Sequence, residues 1–122
     1  MSMSPDRLLN GFAAKLGAAS PAPGRETIAR SLADLLSANR SECGVADVWT
    51  LDASVEMKLA NGEYWAVECI GPNAFRHYPA VIRNEKVTWL NVWVADDYPL
   101  DRLVGELGVT LTAALDATTE KN

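Results

Sequence analysis

Residues 54–70 read SVEMKLANGEYWAVECI. Two runs of alternating apolar and polar residues flank Asn61-Gly62. Asn-Gly is the preferred pair for a two-residue type I′ turn, where both central residues need positive φ. The stretch therefore predicts a β-hairpin with arms Ser54–Leu59 and Glu63–Ile70. A two-residue loop sets Leu59 opposite Tyr64, Met57 opposite Ala66 and Val55 opposite Glu68. Directly opposed residues share a face. One face then holds Val55, Met57, Leu59, Tyr64, Ala66 and Ile70, with Glu68 among them. The other holds Glu56, Lys58, Trp65, Val67 and Cys69. The richer first set is assigned to the core.

Period two extends outward from this hairpin. Val45–Leu51 reads as a preceding strand. Gly71-Pro72-Asn73 breaks the pattern and opens a connecting loop through His77. Tyr78–Arg83 and Lys86–Val94 then form a second hairpin around Asn84-Glu85. Its register pairs Ile82 with Val87, Ala80 with Trp89 and Tyr78 with Asn91. Its predicted core face is Tyr78, Ala80, Ile82, Val87, Trp89 and Trp93. Both hairpins then leave a second apolar face of Trp65, Val67, Val81, Leu90 and Val92, with Cys69 and Val94. A solvated sheet face should turn polar. This face is expected to be covered by helices, by a partner or by a second copy.

Beyond the strands the period becomes helical. Ser4 and Pro5 open a first helix whose stripe is Leu8, Leu9, Phe12 and Leu16. Ser20-Pro21-Ala22-Pro23-Gly24 separates it from a second helix, Arg25 to Asn39, with Ile28, Leu32, Leu35 and Leu36 on one face. A C-terminal amphipathic helix starts near Pro99, capped by Asp96 or Asp97, and carries Leu100, Leu103, Val104, Leu107, Leu111 and Leu115. Gly108 is a candidate bend in it. Residues 118–122 read as a frayed tail. The expected architecture is one α+β domain over residues 1–122. It has two N-terminal helices, an antiparallel meander of four to five strands and a C-terminal helix.

Length and composition agree. The chain has 122 residues, 48% of them hydrophobic and 22% charged, with net charge −5. That fits one domain and excludes intrinsic disorder. No apolar run is long enough to span a membrane, and the start lacks a secretory signal pattern. The acidity argues against direct nucleic-acid binding. Charge is uneven: residues 1–41 carry five Lys and Arg against three Asp and Glu, a net +2, so the remainder carries −7. Two cysteines and one histidine predict no disulfide framework, no zinc site and a reduced, cytoplasmic setting.

The loop between the hairpins holds Phe75, Arg76, His77 and Tyr78, residue types frequent at binding hot spots. With the acids Asp47, Asp52 and Glu56 they are the candidate partner-binding residues, facing another protein of basic character. Glu56-Met57-Lys58 also resembles the Glu-x-Lys element of metal-dependent nucleases. An alternating solvated strand gives the same pattern, so no catalytic residue, metal or cofactor is assigned. Cys69 and His77 are read as a buried thiol and a separate histidine. A small-molecule pocket lined by Trp89, Trp93, Tyr78 and His77 is the alternative function.

In size, charge and dimer potential the chain is similar to small acidic α+β secretion chaperones. Two leading helices and an uninterrupted meander depart from their alternation. The functional expectation is a small acidic protein-binding module of inhibitor or adaptor type, of a kind that mobile elements encode. It would occupy a partner or pair with itself through the apolar sheet face.

Overall fold

Ser4 accepts a hydrogen bond at its hydroxyl from the Arg7 amide (3.4 Å), and Pro5 occupies the first helical position, so α1 runs Pro5–Ala18. The computed structural model describes residues 4–90 and 97–120. Helix α2 (Arg25–Ala38) follows the Pro-rich link, and a one-turn α3 (Arg40–Cys43), unforeseen from the sequence, leads into the sheet. Strands β1 (Val45–Leu51), β2 (Ser54–Leu59), β3 (Tyr64–Gly71), β4 (Ala74–Arg83) and β5 (Lys86–Trp89) form an antiparallel meander in the order β1-β2-β3-β4-β5. Helix α4 (Leu100–Glu120) closes the described chain. The α+β class and the element order are those expected.

Register is where sequence and structure part. The β2–β3 connection has three residues, not two. The Gly62 amide donates to the Leu59 carbonyl (2.9 Å), and the Leu59 amide donates to the Glu63 carbonyl (2.8 Å). Gly62 takes φ +91°, and Asn61 Oδ1 accepts from the Glu63 amide (3.0 Å). A turn followed by one left-handed residue also suits Asn-Gly. The pairs become Val55 with Val67, Met57 with Trp65 and Lys58 with Tyr64. One residue of slip turns every β3 side chain to the opposite face.

The next connection differs too. The expected loop from Gly71 to His77 is a tight turn at Pro72-Asn73, and β4 begins at Ala74. It pairs Cys69 with Phe75, Val67 with His77 and Trp65 with Pro79. Odd-numbered β4 residues therefore join the core. The β4–β5 register is as expected, with Ile82 opposite Val87 and Ala80 opposite Trp89. Asn84 and Glu85 both adopt positive φ (51° and 64°) in its turn. The core assignment for this hairpin fails at its turn end, where Ile82 is 56% exposed and Val87 is 40% exposed, and holds at Tyr78, which is 5% exposed. Trp93, Val92, Val94 and Asn91 lie outside the described residues.

Helix α2 packs on β1, β2 and β3, α4 packs on β4, and α1 lies against α4 and α2. The described helices all pack on one side of the sheet; on the other side Ala66 (0% exposed) and Tyr78 (5% exposed) are buried as well. The core is Leu9, Ile28, Leu32, Leu36, Leu103, Leu107 and Leu111 from the helices against Val55, Met57, Leu59, Val67, Cys69 and Phe75 from the strands. Gly108 marks close approach rather than a bend. Helix α4 is continuous, and a Cβ at Gly108 would collide with Asp6 of α1. The start of α4 is held from the β3–β4 turn, where Asn73 Oδ1 accepts from the Leu100 amide (2.8 Å). Asp97 instead accepts from Arg76 Nε at 2.8 Å. Asp96, the other expected cap, lies outside the described residues.

Candidate functional site

No described helix lies over the second face of the sheet. The β1–β4 register collects Asp47, Trp49 and Leu51 from β1, Glu56 and Lys58 from β2, and Tyr64, Ala66 and Glu68 from β3. Strand β4 adds Arg76, Tyr78, Ala80 and Ile82, and β5 adds Val87 and Trp89. Leu51 is 59% exposed and Trp49 36%, which with Ile82 and Val87 makes four large apolar side chains open to water. They form two pairs, Trp49 and Leu51 on β1 and Ile82 and Val87 by the β4–β5 turn, with buried Ala66 and Tyr78 between them.

Polar contacts hold this face in shape. The Trp49 indole N–H donates to Glu56 Oε1 (2.7 Å). Lys58 Nζ sits over the Tyr64 ring at 5.9 Å, and Tyr78 meets Trp89 edge-on at 6.1 Å. Arg76 lies opposite Glu68 across the strands and pairs with Asp97, which together raise its pKa. Aromatic rings on two-torsion side chains, pinned by neighbours, lose little entropy when a partner binds.

The expected site residues divide between the two faces. Arg76, Asp47 and Glu56 lie on the second face, with Asp47 at its β1 edge bonded to the Val48 amide (2.9 Å), while Tyr78 points to the same side but is only 5% exposed. Asp52 is exposed in the β1–β2 turn at φ 53°. Phe75 is fully buried on the helix side, and its backbone exchanges hydrogen bonds with Tyr98 (2.9 and 2.6 Å). His77 is also on the helix side and 7% exposed. Strand alternation explains the split, because a four-residue run within one strand cannot present all its side chains to one surface.

The expected apolar interface is displaced in the same way. Val67 is fully buried, and Trp65 is half-buried against the core. Val81 and Leu90 are half-buried, and Val92 is outside the described residues. On β3 to β5 the second face is the one the sequence reading had assigned to the core, whereas on β2 the expected core residues Val55, Met57 and Leu59 are buried as read. Ile82 and Val87 were missed as surface residues, and Trp49 and Leu51 were given no face. The three-residue alternative for the Asn61-Gly62 turn would have turned β3, and the short turn between Leu51 and Ser54 would have set Trp49 beside Glu56. The expected pocket does not form from its residues, since His77 lies on the opposite face to Tyr78 and Trp89.

His77 is structural in its surroundings. Its Nδ1 lies 2.9 Å from the Ala66 carbonyl oxygen, which can only accept, so Nδ1 carries the proton. Its Nε2, 3.1 Å from Thr110 Oγ1, accepts from that hydroxyl. The ring stacks on Trp65 with centroids 4.6 Å apart, and burial lowers its pKa. Cys43 and Cys69 are buried free thiols, pushed up by desolvation to about 11 and about 12. Among the described residues no three His, Cys, Asp or Glu side chains are grouped to hold a metal ion. No described helix is long and apolar enough to cross a membrane. Comparison with family models, curated proteins and solved structures finds no match to this chain.

Proposed function

We propose that this chain is a protein-binding module of inhibitor or adaptor type that acts by occupying a partner through its free sheet face. One observation carries the proposal. Every described helix packs on one side of the sheet, while Trp49, Leu51, Ile82 and Val87 stand exposed on the other. The partner presents an apolar patch bordered by cations. Asp47 pairs with Arg40 and Arg76 with Asp97, which leaves Glu56 and Glu68 against Lys58 on that face. The acidic surplus steers encounter, and the exposed apolar side chains at its two edges supply affinity. A reducing, cytoplasmic setting suits the two free thiols and belongs to the same proposal.

The test compares wild type with a Trp49→Ala/Ile82→Asp double variant as bait in native lysate, read by quantitative mass spectrometry. A specific partner should fall at least tenfold in yield with the variant, and its capture should weaken with salt. A partner retained equally by both baits would remove the free face from the interaction.

Self-pairing is a second reading, favoured by the neighbouring Glu56 and Lys58 on one strand face. An isologous contact needs both signs within one patch. Sedimentation velocity should then show a dimer that Ile82→Asp dissociates, and a monomer at high concentration would reject it.

A further inference from the structure

Away from the sheet, α1 and α2 diverge to leave a groove of about 630 Å³. That lies within the range of small-ligand sites, roughly 300–1,000 Å³. Its floor is apolar: Leu8, Phe12 and Leu16 of α1 face Ile28 and Leu35 of α2. Gly11 lies on the lining and is exposed, and a Cβ built there meets nothing within 4 Å, so a side chain can be added at that point of the rim without a clash.

The rim is cationic. Arg7, Gly11 and Lys15 follow at four-residue spacing, which places them along one side of α1. The two cations stand about 12 Å apart at 1.5 Å per residue. Neither is in an ion pair with a described residue, and the acid on the lining, Asp34, is not paired either. Arg7 is also in the first turn of α1, where the helix dipole disfavours a cation. An unneutralised cation in that position beside an apolar trough fits an anion more than it fits the isolated fold. The groove belongs to the one part of the chain with net positive charge, residues 1–41 at +2 against −7 elsewhere.

We propose that this groove binds a single-chain amphiphile with an anionic head group, of the fatty-acid class. The acyl chain lies on Leu8, Phe12, Leu16 and Ile28, and the head group meets Arg7 or Lys15 at the rim. A concave trough takes one chain from solution, whereas a bilayer surface would need a convex or flat apolar face. The free sheet face plays no part, so this site stands or falls separately from the protein-binding proposal.

The test is titration of the full chain with laurate, kept below micelle formation and followed by amide chemical shifts, beside dodecanol and dodecylamine. Laurate should bind at least tenfold more tightly than either, with shifts confined to α1 and α2. Arg7→Gln/Lys15→Gln should abolish the preference for laurate over dodecanol. Gly11→Leu should block both while leaving the melting temperature unchanged or raised, because Leu is the better helix former. Equal binding of laurate and dodecanol, shifts on the sheet, or no shift at all would overturn the proposal. So would a groove that takes an acidic amphipathic peptide and refuses laurate.

Discussion

His77 shows what one buried residue contributes. Both its ring nitrogens are engaged, one as donor to Ala66 and one as acceptor from Thr110. The Thr110 hydroxyl also lies 3.1 Å from the Glu106 carbonyl oxygen. Protonating Nε2 would turn the hydroxyl from His77 towards Glu106, and burial opposes the charge. The folded-state pKa is therefore below the unfolded value of about 6.5, so the unfolded chain binds the proton first. The stabilisation is fully present above pH 6.5 and is lost as pH falls through the folded value. Urea midpoints of wild type should decline from pH 7 to pH 5. His77→Gln should cost about 1–3 kcal/mol at pH 7, by leaving buried groups unpaired, and should flatten that decline. An unchanged pH profile in the variant would assign the decline to other groups. None of this was legible in the sequence, where a lone histidine between Arg76 and Tyr78 looked like a loop residue.

At the level of elements, two glycines in α4 separate packing from propensity. A side chain at Gly108 meets Asp6 of α1, whereas one at Gly105 meets open space. The atom in the way is the carboxylate end of exposed Asp6, which can rotate aside, so Gly108→Ala should gain less than Gly105→Ala. Gly105→Ala should gain up to about 1 kcal/mol. Chemical denaturation of the two variants checks the contrast, and equal effects would deny the close α1–α4 contact. The helices themselves were readable, because Leu8, Ile28, Leu32, Leu103 and Leu107 repeat at helical spacing and bury the predicted stripes. Strand limits were readable for β1 and β2. Register was not, since Asn61-Gly62 serves two-residue and three-residue turns alike, and one residue exchanges the faces. The start of β4 was hidden by Gly71-Pro72-Asn73, which read as the opening of a longer loop. Pro79 sits within the strand opposite Trp65, its carbonyl accepting from the Leu90 amide (2.9 Å).

The described residues form helices on one face of a five-stranded sheet, and the other face is exposed at Trp49, Leu51, Ile82 and Val87 and buried at Ala66 and Tyr78. The surplus of apolar residues over what one core can use was visible in the sequence. Its location was not, because location depends on the register of the first hairpin and on the tight β3–β4 turn. The candidate surface consequently kept Arg76, Asp47 and Glu56, lost Phe75 and His77 to the core, and holds Tyr78 only as a buried residue. The central claim, that a partner occupies the free face, is tested most directly by hydroxyl-radical footprinting of the chain, purified and in native lysate. Trp49, Leu51 and Ile82 should react in the purified chain and become protected in lysate. Val109, 69% exposed on α4, should react equally in both. Unchanged reactivity of Trp49, Leu51 and Ile82, or protection of Val109 in their place, would contradict it.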